Sequence, residues 1–382
     1  MAKPKSAADY SAKIKVVGVG GGGGNAISRM QEDFDLKSVE FIAVNTDAQD
    51  LDYCRAKHKI YIGKNLTKGL GTGMNPELGR QAAEENRSEI VETLKGSDLV
   101  FITVGLGGGT GSGAGPVVAE AAREVGALTV AVVTKPFAFE GTQRARIAQD
   151  ALLKFKEKVD TLIVVPNDRI FSVIKKDTPV SKAFEYIDDV LRHSVQGIAE
   201  LIAMPGMINV DFADVKTVMK DAGSALVGIG LASGQERAMN AVDQALNSPL
   251  LETTVDGAKG VLFAVSGGKD MRLNEIHDIA KAIGESVDPA ARIIFGAYHD
   301  RKIRKGMIKV TLVATGFNGS TLKNGEASMG SLFSGPKPSV LDEEAAIPKG
   351  NGNGKGTALK EAKEKKKEED VWDIPTFLRK KR

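Results

Sequence analysis

The sequence predicts an α/β protein with a mostly parallel sheet, a long central helix, a second and smaller α/β domain, and a disordered C-terminal tail. Short apolar runs alternate with helical segments from residue 13 to about residue 165. Near-continuous hydrophobicity is typical of parallel strands covered on both faces. A second alternation follows between residues 224 and 317, and Gly, Ser, Lys and Glu then dominate up to residue 370. Such a composition buries too little apolar surface to fold.

The strands of the first part are predicted from apolar runs that are rich in β-branched residues. They are Ile14–Val19, Phe41–Val44, Leu99–Val104, Thr129–Val133 and Leu162–Val165. One helix between them has a clear start, because Asn75 can cap it and Pro76 then occupies its first position. We expect helices on both faces of this sheet.

A long amphipathic helix is predicted over Val180–Met204, where apolar residues recur three or four positions apart and Pro205-Gly206 end the pattern. The strands predicted beyond it are Ala225–Ile229, Gly260–Val265, Arg292–Phe295 and Ile308–Ala314, with helices at Glu236–Leu246 and Leu273–Ile283. The predicted divisions are a flexible segment 1–12, a first domain 13–179, the central helix 180–204, a second domain 205–317, a disordered linker 318–370 and a docking peptide 371–382.

Composition argues against several classes of protein. Of the 382 residues, 52 are basic and 49 acidic, and this near balance argues against a nucleic-acid binder, which carries a concentrated basic surface. Cys54 is the single cysteine, so no disulfide forms within the chain and a reducing compartment fits. The four histidines show no ligand spacing with it, so no zinc site is predicted. No apolar run reaches the about 18 residues of a membrane span, so we expect a cytoplasmic protein whose membrane contact is indirect.

Three glycine-rich segments carry the strongest functional signal. Residues 107–115 hold six glycines in nine positions, after a buried strand and before a small-residue helix expected to begin at about Ala114. Glycine is costly to order, and a backbone that lies bare against a polyanion at a helix N-terminus is one reason for such a density. The other segments are 18–24 and 69–73. Because loops after parallel strands emerge at one edge of a sheet, we expect the segments to converge on a di- or triphosphate.

The identity of the nucleotide stays open on these residues alone. Gly18, Gly20 and Gly23, with Asp47 after the second strand, match a dinucleotide fingerprint, so an NAD-dependent oxidoreductase is the alternative. One such loop is enough for a dinucleotide, however, and residues 107–113 would then have no use. The chain also lacks the P-loop lysine motif. Phosphate charge must therefore be met by backbone N–H groups, helix dipoles and a metal ion, Mg²⁺.

Asp211 and Asp214 form a second constellation just after the long helix. They can simply be the N-cap and a first-turn carboxylate of the next helix, or they can polarise a water molecule. The long helix would hold them tens of ångströms from the glycine segments within one subunit. A site shared head to tail between two subunits reconciles these facts, and a heterologous contact that does not close makes a filament.

Other polar positions have simple structural interpretations. Glu140 and Arg144 have the i,i+4 spacing of a surface ion pair. Asn167 belongs to a turn. Phe184 and Asp188, one helical turn apart, are predicted to be a core and a surface position respectively.

Together these motifs closely resemble FtsZ, the family of bacterial tubulin-like cell-division GTPases. The resemblance covers about residues 13–317 and the final peptide. It rests on Gly20–Asn25, Val44-Asn45-Thr46-Asp47, Gly107–Gly113, Thr134–Phe137, Asn209–Asp214 and Asp373–Arg379. The pairing of the glycine motif with the Asn-Val-Asp-Phe-Ala-Asp loop is highly specific. Ser112, where the family often has Thr, still offers a hydroxyl.

The resemblance implies a tubulin-like fold and an assembly-dependent GTPase that takes GTP and GDP with Mg²⁺ in domain 13–179. Glu140 and Arg144 would contact the sugar, while Asn25, Asn167, Phe184 and Asp188 would contact guanine. The other implied nucleotide-binding positions are Gly21, Gly22, Gly23, Gly24, Asn45, Gly71, Thr72, Gly73, Gly108, Gly109, Thr110 and Gly111. Asn209, Asp211 and Asp214, in a polymerisation domain, would complete the GTPase site of the next subunit.

The resemblance also implies the cellular role. Filaments of the chain would form the division ring at mid-cell, beneath the membrane. The last twelve residues recover apolar groups after a charged linker, which predicts a short docking peptide. It would bind membrane-tethering adaptors and other division proteins through Asp373, Ile374, Pro375, Phe377, Leu378 and Arg379. Trp372 is unusual within this peptide, so the partner preference stays open. A third interpretation, a non-enzymatic scaffold whose tail recruits partners, also stays open.

Overall fold

The computed structural model describes residues 12–33, 38–175, 177–249, 254–300 and 302–317. These residues belong to one compact unit within Met1–Ser328. The predicted linker 318–370, the docking peptide 371–382 and all of segment 1–12 except Ala12 lie outside the described residues. Within the described part of the chain, no helix combines the length and the apolar character that crossing a membrane requires.

The strands of the described residues all join one sheet, in the order β3-β2-β1-β4-β5-β6-β7-β10-β8-β9. They are β1 (Ile14–Val19), β2 (Val39–Asn45), β3 (His58–Tyr61), β4 (Leu99–Gly105), β5 (Leu128–Lys135), β6 (Thr161–Pro166), β7 (Gly223–Ser233), β8 (Gly260–Gly267), β9 (Arg292–His299) and β10 (Met307–Thr315).

Helices cover both faces of this sheet and connect most of its strands. They are α1 (Gly20–Asp33), α2 (Ala48–Tyr53), α3 (Lys64–Thr67), α4 (Pro76–Glu85), α5 (Arg87–Leu94), α6 (Gly109–Glu124), α7 (Thr142–Lys158), α8 (Val180–Ala203), α9 (Phe212–Met219), α10 (Arg237–Leu246) and α11 (Leu273–Ser286). Short 3-10 helices at Ala138–Glu140 and Asn167–Ser172 complete the elements.

Strand directions confirm the prediction of a mostly parallel sheet. All neighbouring pairs from β3 to β6 are parallel, and β7 joins β6 in parallel through three residue pairs. Only β10 runs antiparallel, to both β7 and β8, while β9 is parallel to β8. The carboxyl ends of β1, β2, β4 and β5 therefore lie along one edge, where the glycine segments begin.

The central strands are buried on both faces, which explains their continuous hydrophobicity. Val16 pairs with Phe101 and packs into one core cluster, while the next pair, Val17 with Ile102, packs into another on the opposite face. Successive side chains of a strand point to opposite faces, so both sets must be apolar. A third cluster lies in the second half of the chain, around Phe263 and Ile279.

Helix α8 is the long helix that was predicted, and it ends at Ala203, one residue before the predicted Met204. Its buried residues, including Leu191, Val195 and Ile198, pack into the first core cluster. At 1.5 Å per residue, its 24 residues span about 36 Å. Pro205 follows directly, and proline cannot continue the helical hydrogen bonding.

Candidate functional site

The glycine stretch after β4 is mostly helical, which corrects the prediction that the helix begins near Ala114. Helix α6 starts at Gly109 and packs against α4 at backbone contact. A Cβ at Gly113 would overlap the carbonyl oxygen of Pro76, and a Cβ at Gly79 would lie 2.5 Å from the carbonyl oxygen of Gly109. Part of the glycine density therefore serves helix packing rather than a ligand.

The first glycine segment is also mostly helical, because its residues from Gly20 onward are the first turns of α1. Gly20 has a φ of 73°, which favours glycine, and a Cβ there would lie 2.9 Å from the amide nitrogen of Gly111. Gly22 approaches Gly105 in the same way, with 3.3 Å between its Cβ position and the Gly105 Cα. The N-termini of α1 and α6 are therefore brought side by side, and both favour negative charge.

A second class of glycines faces open space. A Cβ built at Gly24, Gly73 or Gly108 would meet no described atom within 4 Å beyond its chain neighbours. These three residues come from the three different glycine segments. Contacts do not require glycine there, and Gly73 is exposed while Gly24 and Gly108 are partly exposed, so a ligand can reach the backbone at these positions.

Three threonine hydroxyls join the end of β2 to the second and third glycine segments. Thr110 Oγ1 lies 2.6 Å from Thr46 Oγ1 and 3.1 Å from Thr72 Oγ1, and all three residues are buried. Beside them Asn45 is buried, and its Oδ1 accepts hydrogen bonds from the backbone N–H of Thr46 and Asp47, at 2.8 and 3.3 Å. The edge of the sheet thus holds Asn45, Thr72 and Thr110 in one rigid junction.

A small cavity opens between α1, β2 and α2. Gly21, Gly24, Asn25 and Asn45 line it, and all four are predicted nucleotide-binding positions. Cys54 lines it as well and was not predicted, because a lone cysteine carries no spacing signal. The first glycine segment and the end of β2 therefore share one concave surface.

Aromatic rings cluster beside this edge around the buried Phe137. Phe184 meets Phe137 edge to face at a centroid distance of 5.6 Å, and Phe139 stacks on it at 4.8 Å. Phe171 lies 5.6 Å away. Of these rings, the sequence predicts only Phe184 as a ligand contact, although Phe137 belongs to the motif Thr134–Phe137 and Phe139 follows it closely. Exposed ring faces at this point can stack on a planar ligand.

The predicted placement of Phe184 and Asp188 is wrong, and the two are reversed. Phe184 is 42% exposed, whereas the Asp188 side chain is only 16% exposed. Asp188 faces α1, where its carboxylate lies 3.0 Å from the guanidinium of Arg29. Burial raises the pKa of Asp188 to about 6, although the Arg29 charge acts in the opposite direction.

Asn167 and the Glu140–Arg144 pair lie near the same aromatic cluster. Asn167 is buried, and its Oδ1 has no hydrogen-bond partner in the described part of the chain. An unpaired buried acceptor is costly and fits a ligand that donates a hydrogen bond. Arg144 donates to Glu140 at 2.9 Å, which confirms the predicted pair, and Glu140 also accepts from the Phe137 N–H at 2.9 Å.

Asp211 and Asp214 lie beyond the other end of α8. Asp211 is the N-cap of α9 and accepts from the Ala213 N–H at 3.2 Å, which confirms the capping interpretation. Asn209 accepts from the Gly206 N–H at 2.6 Å. All three predicted side chains are exposed, and the described contacts do not join them to the glycine segments. Phe184 lies near the opposite end of α8. About the length of the helix therefore separates the aromatic cluster from Asp211 and Asp214.

Comparisons with known proteins agree with the fold. A model of the GTPase domain of the Tubulin/FtsZ family matches residues 13–175, and a model of the FtsZ family C-terminal domain matches residues 223–318. An empty FtsZ dimer from M. jannaschii is 47% identical and covers 81% of this chain and 89% of its own, with a TM-score of 0.77. A GTPγS-bound protofilament of CetZ2 from Haloferax volcanii, 21% identical over 84% of this chain and 98% of its own, shares the fold with a TM-score of 0.69. These matches give no support to the oxidoreductase alternative.

Proposed function

The chain belongs to the FtsZ family of cytoskeletal cell-division GTPases and binds GTP and GDP, and from this premise we propose that it polymerises head to tail. GTP held at the glycine segments of one subunit is hydrolysed where Asn209, Asp211 and Asp214 of the next subunit meet it. Hydrolysis then controls filament turnover, and the filaments form the division ring at mid-cell beneath the membrane.

The observation that supports this proposal most directly is that α8 separates the aromatic cluster from the carboxylates of Asp211 and Asp214. The aromatic cluster lies at one end of a helix about 36 Å long, and the exposed carboxylates lie beyond the other. A carboxylate at that distance cannot act on a nucleotide in its own subunit. A head-to-tail contact brings opposite ends of two subunits together and repeats without closing. The relative from M. jannaschii, described as a dimer, supports self-association.

For the nucleotide itself, the open backbone at Gly24, Gly73 and Gly108 would face the phosphates, beside the N-termini of α1 and α6. Guanine presents N–H donors on one edge, which suits the carboxylate of Asp188 and the unpartnered Oδ1 of Asn167. The ring of Phe184 would stack on the base. The remaining predicted nucleotide positions are proposed on the same grounds.

Mg²⁺ would enter with the nucleotide. The described residues hold no group of three or more His, Cys, Asp or Glu side chains that could bind a metal ion. Mg²⁺ on a nucleotide takes its ligands from phosphate and water with one or two protein oxygens, so the chain needs no such cluster. The Thr110 hydroxyl and the Asp47 carboxylate are hard oxygen donors at this edge and would hold it. The ion supplies the positive charge that a P-loop lysine supplies elsewhere.

In the assembled site, Asp211 and Asp214 would orient the attacking water and accept its proton, which is the usual task of a carboxylate in such a reaction. Asn209 would hold the turn before them through the Gly206 N–H. The docking peptide 371–382 would recruit membrane-tethering adaptors and division proteins, so that contact with the membrane is indirect.

The test is the concentration dependence of GTP hydrolysis, followed together with light scattering. The rate per subunit should rise above a threshold protein concentration, at which scattering also appears. A rate per subunit that stays flat across the threshold contradicts a shared site.

Mixing two defective variants makes the test specific. Asp214→Asn subunits keep the nucleotide pocket, whereas Gly108→Asp places a carboxylate where the phosphates are proposed to lie. Gly108 is the N-cap of α6 with extended backbone, so aspartate is tolerated there. Each variant alone should be inactive, and their mixture should regain hydrolysis because one interface then contains an intact pocket and an intact Asp214. A mixture as inactive as its components would contradict the proposal.

A further inference from the structure

A buried polar cluster joins the last turn of α8 to the sheet of the second half of the chain. Its centre is the carboxylate of Glu200, which is buried. Tyr298 on β9 donates its hydroxyl to Glu200 Oε2 at 2.7 Å, and Lys309 Nζ on β10 lies 3.4 Å from the same oxygen. Gln196, one turn earlier on α8, donates to the other oxygen.

The neighbouring residue on β9 holds the segment that follows α8. The carbonyl oxygen of Ala297 accepts hydrogen bonds from the N–H groups of Met207 and Ile208, at 2.8 and 3.1 Å. The Ala297 N–H donates to the Ile208 carbonyl oxygen at 3.0 Å. A Cβ at Gly206 would lie 2.5 Å from the Ala297 oxygen, so a glycine is required for this approach. Consecutive residues of β9 thus hold the helix end and the segment that leads to Asp211.

We propose that Glu200 and Tyr298 are positioning residues for GTP hydrolysis. By joining the end of α8 to β9, they determine the path of residues 204–211 and so the place where Asp211 and Asp214 meet the neighbouring subunit's GTP. The inference rests on the proposed function, because Asp211 and Asp214 have a role in GTP hydrolysis only if they meet the nucleotide of a neighbouring subunit. A displacement of about 1 Å in a catalytic group lowers turnover by about 100-fold, so a positioning pair is expected to affect the rate.

The chemistry of the pair fits positioning better than packing. Burial and the adjacent Glu200 carboxylate raise the pKa of the Tyr298 phenol above its usual range, so the hydroxyl stays a donor at all ordinary pH values. A buried charge needs several partners, and apolar residues of the same size would hold the elements together at least as well. What the donors from α8, β9 and β10 add is a defined placement of the helix end.

The test compares Tyr298→Phe and Glu200→Gln with Ser97→Ala. Tyr298→Phe removes only the donated hydroxyl, and Glu200→Gln keeps an acceptor oxygen but removes the charge. Ser97→Ala removes another buried hydroxyl, which donates to the Leu94 carbonyl oxygen at the end of α5, away from α8 and α9. Tyr298→Phe should lower the kcat of assembled protein by about tenfold, with KM for GTP and the GTP affinity of dilute subunits unchanged. Amides of residues 205–211 should exchange hydrogen several-fold faster, and the Ser97→Ala variant should show neither effect.

The outcomes separate the inference from the proposed function. A wild-type rate per subunit that does not rise with concentration contradicts the proposed function. If that rise is present but Tyr298→Phe keeps the wild-type kcat, or exchanges its 205–211 amides at the wild-type rate, the positioning inference is wrong. A parallel loss of GTP affinity also contradicts it. Should Tyr298→Phe fail to fold, Glu200→Gln decides, with a smaller fall in kcat at unchanged KM.

Discussion

The two ends of α8 are built in different ways. At the glycine-rich end, the glycine segments meet at close backbone contact, and the hydroxyls of Thr46 and Thr72 both lie against that of Thr110. At the far end, Asp211 and Asp214 are exposed, and their contacts within the described residues are those of a helix start. This contrast is what the proposed function requires, because a subunit would then bind the nucleotide by itself but would need the exposed carboxylates of a second subunit for hydrolysis.

The largest expected effect comes from removing one exposed carboxylate. Asp211→Asn keeps an N-cap for α9, since asparagine caps as well as aspartate does, but it removes the charge that orients water. Turnover should fall by about 100-fold or more, with GTP affinity unchanged. Single-turnover hydrolysis and equilibrium GTP titration measure the two quantities. Asp150→Asn, an exposed carboxylate on α7, is the matched control. A loss of affinity would place Asp211 in the pocket of its own subunit.

The next largest effect distinguishes a glycine that packing requires from a glycine that faces open space, both at the glycine-rich end of α8. Gly113→Ala forces a Cβ into the Pro76 carbonyl oxygen, so the free energy of unfolding should fall by about 2–4 kcal/mol. Gly108→Ala meets open space and has extended backbone, so it should leave stability within about 0.5 kcal/mol but weaken GTP binding by about tenfold. Urea unfolding and GTP titration of both variants check this. Equal stability losses would mean that both glycines serve packing.

These glycines also show where sequence reasoning reached its limit. The bounds of strands such as β1 and β4 were predicted to within one residue, because a strand that is buried on both faces has a continuous run of apolar residues. The start of α6 was missed, because glycine disfavours helices and only tertiary packing against α4 overrides that preference. β3 was missed as well, since it has four residues and begins with the exposed His58 and Lys59.

The candidate site could be predicted in part, for a related reason. Motifs indicate which residue types can carry the chemistry, so the glycines and Asp211 could be proposed from the sequence, and their roles stay predictions. Helical periodicity does not say which neighbour a face will meet, and Phe184 and Asp188 were therefore assigned in reverse. Asp188 is buried by α1 and paired with Arg29, about 160 positions away in the chain. Long-range contacts of this kind leave no local pattern.

A smaller effect follows from the raised pKa of Asp188. Only the ionised carboxylate can accept hydrogen bonds from the guanine N–H groups with both of its oxygens. Its pKa of about 6 lies within the pH range in which GTP binding can be measured. GTP affinity should therefore fall as pH decreases through 6, by up to about tenfold at pH 5. Asp188→Asn should bind more weakly but lose this pH dependence, while Asp189→Asn, on the more exposed neighbour, should keep it. An Asp188→Asn variant with the wild-type pH profile would assign the titration elsewhere.

The smallest effect concerns the helix that separates the two ends. Burial lowers the pKa of His193 on α8 to about 4, and the charges of Arg192 and Lys309 act in the same direction. The folded protein therefore keeps the imidazole neutral, whereas the unfolded chain takes up a proton below its ordinary pKa of 6.5. The stability that this adds is present above pH 6.5 and is lost as pH falls toward 4, amounting to about 1–2 kcal/mol by pH 5. His193→Gln should lose less stability between pH 7 and pH 5 than the wild type, as measured by urea unfolding, and His58→Gln, at an exposed ion pair, should not. If His193→Gln unfolds with the wild-type pH dependence, the buried imidazole of α8 does not contribute to the loss of stability in acid.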